Sequence, residues 1–159
     1  MLTIQIICIG KIKEIYLKEA INEYSKRLSK YCKLDIIELP DEKIPDKLND
    51  NISNIIKAKE CNNIINHLKK DSHIIALDLS GKQFTSEKFA LELEKISMLN
   101  SSVTFIIGGS LGLNTELLNK CSQKICFSKM TFPHQLIRVF LLEQLFRAFK
   151  ITNNETYHR

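Results

Sequence analysis

The chain has 159 residues, of which 44% are hydrophobic and 26% are charged, and its formal net charge at pH 7 is +5. This is the composition of an ordinary globular protein, and it argues against a disordered or a collagen-like chain. We expect a single domain over residues 1–159, large enough to fold without disulfide bonds. The mild positive charge permits a nucleic-acid partner without requiring one.

The sequence has no membrane-spanning or secretory pattern. No run reaches the roughly 18 apolar residues that a membrane helix needs. The apolar run Leu2–Ile9 is short, has no basic residues before it and is followed by Lys11 and Lys13, so it does not resemble a signal peptide. We therefore expect a cytoplasmic protein without a membrane partner.

The five cysteines favour neither disulfide bonds nor a metal site. Their number is odd, whereas a disulfide framework usually has an even number of cysteines. No two are spaced as Cys-x-x-Cys, the spacing typical of zinc sites. Cys8 and Cys126 lie in apolar, strand-like runs and are expected in the core. A catalytic Cys–His pair remains an open alternative.

Apolar periodicity divides the chain into alternating strands and helices. The predicted elements are, in chain order, a strand at Leu2–Ile9, a helix at Ile15–Tyr31, a strand at Leu34–Leu39, a polar connection at Pro40–Asp50, a helix from Ile52 to Leu68, a strand at His73–Leu79, a helix at Ser86–Leu99, a strand at Val103–Ile107, a short helix at Asn114–Cys121, a strand at Lys124–Ser128 and a helix at Pro133–Lys150. This alternation predicts an α/β fold with a mainly parallel sheet and flanking helices.

The five glycines all follow predicted strands: Gly10, Gly81 and three within Gly108–Gly112. Ligands of open α/β sheets bind beyond the carboxyl ends of the strands, where glycine allows close approach of the backbone. The Gly108–Gly112 cluster therefore predicts a ligand site, whereas Gly81 is equally compatible with a simple turn. The Gly-Gly-x-x-Gly spacing matches neither a dinucleotide fingerprint nor a P-loop.

The segment from Phe127 to His134 mixes aromatic, hydroxyl and basic side chains just before the last helix. Apolar faces with nearby polar groups suit a flat heterocycle such as adenine. The same residues are also compatible with a plain hydrophobic corner between strand and helix.

The last helix, Pro133–Lys150, is apolar around most of its circumference. Such a helix is buried on more than one face. A homodimer interface would cover the extra face, and the alternative is a central position inside the monomer.

Charged residues near both ends of the chain are candidate RNA contacts. His134 and Arg138 are one helical turn apart at a helix start, where anions bind favourably, although a solvated pair is an equal alternative. Lys11 and Lys13 could contact phosphates or simply be solvated. Residues 151–159 are expected to fray, yet their last three side chains could stack on a base and bind phosphate.

Several of these segments together resemble one protein family. They are Gly108-Gly-Ser-Leu-Gly112, Phe127-Ser-Lys-Met-Thr-Phe-Pro-His-Gln-Leu136 with Arg138-Val139, the ending Tyr157-His158-Arg159, the Gly10-Lys11 pair and Leu77-Asp-Leu-Ser-Gly81. This set is similar to the RlmH family of ribosomal RNA large-subunit methyltransferases, a branch of the SPOUT superfamily. The resemblance covers essentially the whole chain, without a departure at a motif position.

The resemblance implies a fold, a cofactor and a quaternary structure. The C-terminal part should form a deep trefoil knot, which physical reasoning alone would not predict because true knots are nearly absent from proteins. The protein should be a homodimer with its site near the interface. The methyl donor S-adenosyl-L-methionine should bind, without any metal, at Leu77, Gly108, Phe127, Ser128, Lys129, Met130, Thr131 and Phe132.

The substrate implied by the resemblance is a pseudouridine in helix 69 of 23S ribosomal RNA, at position 1915, methylated at N3 in the assembled ribosome. By hypothesis, His158 or a group of the partner chain takes the N3 proton, and Tyr157 packs on the base or the donor. Arg138 and Arg159 would hold phosphates or the developing imide anion. The other expected RNA contacts are Lys11, Lys13 and His134.

Three other functions are compatible with the sequence. One is a non-catalytic protein that binds the ribosome, and another is a related SPOUT enzyme that methylates a different RNA site. A nucleotide-dependent oxidoreductase is disfavoured because the dinucleotide fingerprint is missing.

Overall fold

The computed structural model describes residues 1–157 and contains every predicted strand and helix. The elements are β1 (Leu2–Ile9), α1 (Ile15–Leu28), β2 (Cys32–Leu39), α2 (Asp50–His67), β3 (His73–Lys82), α3 (Ser86–Leu99), β4 (Ser102–Ile107), α4 (Thr115–Lys120), β5 (Gln123–Ile125) and α5 (His134–Thr152). The largest differences from prediction are three residues each: β3 ends later than predicted, and α1 and β5 end earlier.

The five strands form one parallel sheet in the order β2-β1-β4-β3-β5. The predicted α/β architecture is therefore confirmed. Because all the strands run in the same direction, the residues that follow β1, β3, β4 and β5 meet at one edge of the sheet.

Helices cover both faces of this sheet, as the apolar strand sequences require. In β1, Ile4, Ile6 and Cys8 pack in the core under α1, α3 and α5. Ile7 and Ile9 point to the other face, into a second core that α2 and α4 cover. The predicted core positions of Cys8 and Cys126 are confirmed, since their exposed fractions are 0% and 5%.

Helix α5 packs against both α1 and α3 on one side of the sheet. Its residues Leu141, Leu142 and Leu145 are almost completely buried within this single chain. A central position of α5 inside the monomer therefore accounts for most of its apolar character. This position was the alternative to a dimer interface. Within residues 1–157, no helix is long and apolar enough to cross a membrane.

The end of β3 wraps closely around the end of β5. Both Leu77 and Lys82 pair with Ile125, and the intervening residues bulge out of the ladder. A Cβ atom on Gly81 would lie 2.5 Å from the carbonyl carbon of Ile125 and 2.6 Å from its nitrogen. Gly81 therefore lies within β3 and not after it, and the close contact of two backbones requires glycine there.

The expectation that residues 151–159 fray is wrong for residues 151–157. Helix α5 continues to Thr152, and Asn154 then turns the chain with a φ of 54°. Glu155 accepts a hydrogen bond from the hydroxyl of Tyr31 at 2.8 Å and pairs with Lys150 at 2.5 Å. Residues His158 and Arg159 lie outside the described part of the chain.

Candidate functional site

A cleft of about 210 Å³ opens at the carboxyl ends of β3, β4 and β5. Three segments that are far apart in the sequence form its walls: the end of β3, the glycine-rich loop after β4, and the loop between β5 and α5. The lining of the cleft includes Leu77, Asp78, Gly108, Gly109, Ser110, Phe127, Ser128, Met130, Thr131, Phe132, His134 and Ile137.

The glycine-rich loop is held in a tight turn. The amide of Gly112 donates to the carbonyl of Gly109 at 3.0 Å, and Gly112 has a φ of 78°. A Cβ atom on Gly108 would come within 2.9 Å of Leu113 Cδ2. Glycine therefore favours the close turn at both Gly108 and Gly112, and the backbone of Gly108 and Gly109 forms part of the surface of the cleft.

The loop after β5 supplies most of the opposite wall. The hydroxyl of Ser128 accepts a hydrogen bond from the amide of Met130 at 3.0 Å, and the thiol of Cys126 donates to the Ser128 carbonyl at 3.0 Å. The ring of Phe132 packs edge-on against Phe140 of α5, with centroids 5.7 Å apart. These contacts turn the loop back across the end of the sheet and fix its aromatic side chains.

The structure brings together seven of the eight residues predicted to bind a cofactor. They are Leu77, Gly108, Phe127, Ser128, Met130, Thr131 and Phe132. Lys129 is exposed and is not part of the cleft lining. No single motif in the sequence indicated that these residues lie together. That they bind the cofactor stays a prediction.

Asp78 is a cleft residue that the sequence analysis missed. Its carboxylate accepts a hydrogen bond from the amide of Ser80 at 3.0 Å and another from the Ser80 hydroxyl. These bonds fix the bulged end of β3 beside Leu77 and leave a carboxylate in the cleft wall. A lone aspartate after an apolar strand had no distinguishing pattern, although its position at a strand end was a usable signal.

His134 connects the cleft to a second, polar pocket of about 270 Å³. That pocket is also lined by Gly10, Lys11, Lys13 and Asp41. Burial and the positive charge of Arg138 lower the pKa of His134, whereas Asp41 opposes the shift. Within residues 1–157, the buried Nδ1 atom of His134 has no hydrogen-bond partner. The expected RNA contacts Lys11, Lys13 and His134 therefore share one surface beside the cleft.

Arg138 is buried, with an exposed fraction of 2%. One terminal nitrogen donates to the carbonyls of Ile9 and Gly10 at 2.8 and 2.7 Å, and the other binds the Glu38 carboxylate at 2.8 Å. Glu38 also accepts a hydrogen bond from the amide of Ile12 at 2.8 Å. Arg138 and Glu38 thus fix the backbone around Gly10. The expected contact of Arg138 with an anion remains a prediction.

Tyr157 lies against α5 and not in the cleft. Its ring packs edge-on against Phe146 with centroids 5.0 Å apart, and the guanidinium of Arg147 lies over it at 4.8 Å. Its hydroxyl donates to Glu143 at 3.3 Å. Partial burial and the charge of Glu143 raise the pKa of Tyr157, so its phenol stays protonated at neutral pH.

A neighbouring cleft of about 360 Å³ lies between the first cleft and Tyr157. It shares Phe127, Ser128 and Phe132 with the first cleft, and Glu143 lies in its wall. Because Tyr157 binds Glu143, Tyr157 lies near this neighbouring cleft. Among residues 1–157, no group of three or more His, Cys, Asp or Glu side chains could hold a metal ion.

Comparisons with known proteins agree with this arrangement. The family model described as "Predicted SPOUT methyltransferase" matches residues 2–158. "Ribosomal RNA large subunit methyltransferase H 1" of Clostridium perfringens (strain SM101 / Type A) is 55% identical, over 99% of this chain and 100% of the relative. "Ribosomal RNA large subunit methyltransferase H" of Clostridium botulinum (strain Hall / ATCC 3502 / NCTC 13319 / Type A) is 57% identical with the same coverage.

Two solved structures share the fold at low sequence identity. A Legionella pneumophila protein assigned as a methyltransferase, solved with the cofactor SAM bound, aligns with a TM-score of 0.52 and 12% identity over 93% of this chain and 66% of its own. A methylase family protein from Haemophilus influenzae Rd KW20 aligns with a TM-score of 0.56 and 16% identity, over 100% and 72% of the two chains. These two structures support the fold, and the family match over residues 2–158 together with the full-length relatives shows that the chain belongs to the SPOUT methyltransferases, within the group named ribosomal RNA large subunit methyltransferase H.

Proposed function

We propose that this chain transfers a methyl group from S-adenosyl-L-methionine to a base of 23S ribosomal RNA. The proposal rests on one observation above all: the glycine-rich loop and the Phe127–Phe132 loop, which carry the family resemblance, form a single cleft. The relatives that match over the full length are named for methylation of large-subunit ribosomal RNA. In this proposal the whole chain, residues 1–159, acts as one catalytic domain in the cytoplasm.

The chemistry of the cleft fits a methyl donor that carries a nucleoside. Phe127, Phe132 and Ile137 offer apolar surface for a flat base, while Ser110 and Ser128 bring hydroxyl groups to the same walls. The glycine-rich backbone permits close approach. Asp78 places a carboxylate in the wall, which favours a ligand with positive charge.

When bound, S-adenosyl-L-methionine supplies a methyl group on a sulfonium, which is electrophilic without a metal. The residues of this chain would then act by binding, orienting and excluding water. Alignment of an acceptor nitrogen with the donor can contribute several kcal/mol to the lowering of the barrier. The short turns at Gly109 and Ser128 suit this role because each is held by a local hydrogen bond. The Gly109 carbonyl accepts from the amide of Gly112, and the Ser128 hydroxyl accepts from the amide of Met130.

We further propose N3 of a pseudouridine in helix 69, presented by the assembled ribosome, as the acceptor. The N3–H group is a weak imide acid, so its deprotonation needs a base or a positive environment. Lys11, Lys13 and His134 line one pocket that borders the cleft and would supply part of that environment. His158 is the proposed proton acceptor, and Arg159 a proposed phosphate contact.

The observed contacts favour a positioning role for Arg138. Both of its terminal nitrogens are engaged, with Glu38 and with the carbonyls of Ile9 and Gly10. Arg138 would therefore act on the RNA through the backbone that presents Lys11 and Lys13, since it is itself almost completely buried.

A homodimer would bring a second copy of the tail to the cleft. Leu79, Met130 and Phe140 lie around the two clefts with exposed fractions of 66%, 74% and 37%. Clustered exposed apolar side chains are typical of interaction surfaces. In this proposal Tyr157 and the residues after it complete the site of the partner copy, where Tyr157 packs on the base or the donor.

We also propose that the chain forms the trefoil knot expected of this superfamily. The pairing of Ile125 with both Leu77 and Lys82 supports it, because residues 78–81 then wrap around the end of β5. A crystal structure that traces residues 73–134 tests this proposal. A chain that passes beside the 78–81 segment, and not through a loop, would contradict it.

Transfer of a labelled methyl group tests the function directly. The protein is incubated with labelled donor and either ribosomes or free 23S RNA that lack the modification, and the modified nucleotide is mapped. We expect label at N3 of one pseudouridine in helix 69, with ribosomes as the better substrate. Label on transfer RNA would indicate another SPOUT activity, and binding of ribosomes without donor binding would indicate a non-catalytic protein.

A further inference from the structure

Glu60 is a buried acid that the proposed mechanism leaves unused. It lies on α2, behind the cleft, and its exposed fraction is 5%. Burial and the nearby charges of Asp41 and Glu42 raise its pKa, and a backbone hydrogen bond opposes this shift. Burial of a carboxylate costs free energy, because the group loses its hydrogen bonds to water. An apolar side chain would fill the same volume at lower free energy.

The carboxylate of Glu60 contacts two separate loops. One oxygen accepts a hydrogen bond from the amide of Glu42 at 3.0 Å, in the connection after β2. A Cβ atom on Gly109 would lie 3.0 Å from Ile9 Cγ2 and 3.3 and 3.5 Å from the two carboxylate oxygens of Glu60. The open side of Gly109 therefore faces Glu60 and Ile9, and the Glu60 carboxylate lies between the two loops.

The next residue of α2 contacts the other end of the same loop. The sulfur of Cys61 accepts a hydrogen bond from the amide of Asn114 at 3.3 Å. Two consecutive side chains of α2 thus support the segment from Gly109 to Asn114 at its two ends. The opposite surface of that segment, at Gly109 and Ser110, lines the cofactor cleft.

We propose that Glu60 is a positioning residue that fixes the glycine-rich loop in the conformation that binds the methyl donor. It acts through Gly109 and never touches the ligand. Its bond to Glu42 also ties this loop to Asp41, which lines the polar pocket of Lys11 and Lys13. This inference rests on the proposed function, because it assumes that the cleft holds S-adenosyl-L-methionine.

A double-mutant cycle on the full-length protein tests the inference. The affinity for S-adenosyl-L-methionine is measured by calorimetry for wild type, Glu60→Ala, Gly109→Ala and the double variant. We expect each single variant to bind roughly tenfold more weakly, the first because the loop loses its support and the second because the new methyl group crowds Ile9 and Glu60. The double variant should be weakened by less than the product of the two effects. Removing Glu60 relieves its part of the crowding, while the contact with Ile9 remains, and contacting residues couple in this way.

Glu60→Gln and Glu19→Gln serve as the matched variants. Gln keeps the volume and the acceptor for the Glu42 amide, so Glu60→Gln should restore binding close to wild type even if Glu60→Ala folds poorly. Glu19 is an exposed glutamate on α1, and its replacement should leave affinity unchanged.

The outcomes separate this inference from the proposed function. Full affinity in Glu60→Ala, or strictly multiplicative effects in the double variant, would overturn the positioning role while leaving the function intact. If Glu60→Ala does not fold, the folded Glu60→Gln variant provides the test. A loss of affinity in Glu60→Gln as large as that in Gly109→Ala would also contradict the positioning role. Wild-type protein that fails to bind S-adenosyl-L-methionine would overturn both.

Discussion

At the scale of single residues, glycines and buried polar groups determine the shape of the site. Gly81, Gly108 and Gly112 occupy positions where a side chain would clash or where φ is positive. The placement of Gly108 and Gly112 after a strand was predictable from the sequence, whereas the position of Gly81 inside β3 and the reason for it were not. Only the structure shows that another backbone, that of Ile125, packs against it.

Replacement of Gly81 by alanine should disrupt folding. The new Cβ atom would lie within 2.7 Å of three backbone atoms of Lys124 and Ile125, which cannot move without breaking the β3–β5 pairing. We expect the free energy of unfolding to fall by at least about 3 kcal/mol. Urea denaturation followed by circular dichroism measures it.

Gly112→Ala is the matched control for this prediction. Gly112 has a positive φ, but a Cβ atom there would meet nothing within 4 Å. Its replacement should therefore cost only about 1–2 kcal/mol, from the strained backbone alone. Equal losses of stability in the two variants would show that the contact with Ile125 is unimportant.

Glu60 should make stability depend on pH. Its pKa is raised in the folded chain, so the folded state binds the proton more tightly than the unfolded state does. The contribution of Glu60 to stability is therefore most favourable below its unfolded pKa, and it declines as pH rises from about 4.5 through the folded pKa. Over this range Glu60→Gln should become progressively more stable relative to wild type.

Denaturation of both proteins at a series of pH values from 4 to 7 measures this difference. Glu155 provides the opposite comparison, because Lys150 and Tyr31 lower its pKa. Its favourable contribution is present above about 4.5 and is lost as pH falls through its folded pKa. A constant difference between wild type and Glu60→Gln would show that the Glu60 carboxylate is not perturbed.

At the scale of elements, local periodicity predicted the strands and helices well, because each has one or two continuous apolar faces. The prediction failed where contacts are distant in sequence. The tail is the clearest case: Glu155 binds Tyr31, 124 residues earlier in the chain, and Tyr157 packs on Phe146. No local pattern distinguishes such a tail from a frayed one.

Removal of residues 157–159 should abolish methyl transfer while leaving the affinity for S-adenosyl-L-methionine largely intact. The cleft lies at the carboxyl ends of β3, β4 and β5 and does not include Tyr157 of the same chain, so most contacts with the donor remain when the tail is removed. Methyl transfer to ribosomes and calorimetry of donor binding are measured on the same preparation.

A shorter deletion, of residues 158 and 159 alone, separates the role of Tyr157 from that of the last two side chains. Retained transfer after this deletion would assign the effect to Tyr157 and reject His158 as the proton acceptor. Unchanged turnover after the longer deletion would remove the tail from the proposed site.

At the scale of the whole molecule, one sheet edge collects the segments that form the cleft, and these lie up to 60 residues apart, from Leu77 to Ile137. The general rule that ligands bind at the carboxyl ends of parallel strands predicted from the sequence where the candidate cleft lies. The rule offered only a general signal for Asp78, at the end of a predicted strand, and none for Glu60, because an isolated acid in a helix has no distinguishing pattern. Their roles depend on which loops the folded sheet brings beside them.

The exposed apolar residues around the clefts should hold two copies together. We expect a solution mass of twice 18.4 kDa by light scattering, and a monomer for Phe140→Asp, because a charge would be buried in the interface. Met98→Asp is the control, since Met98 is 74% exposed on α3 and lines neither cleft. A monomeric wild type, or dissociation by both variants, would contradict the proposed interface.

The most direct measurement is a crystal structure of the protein with S-adenosyl-L-methionine. We predict electron density for the donor between the glycine-rich loop at Gly108 and the loop from Phe127 to Phe132, with Leu77 beside it. Density at another surface, or the two loops packed together with no bound donor at saturating concentration, would contradict the account.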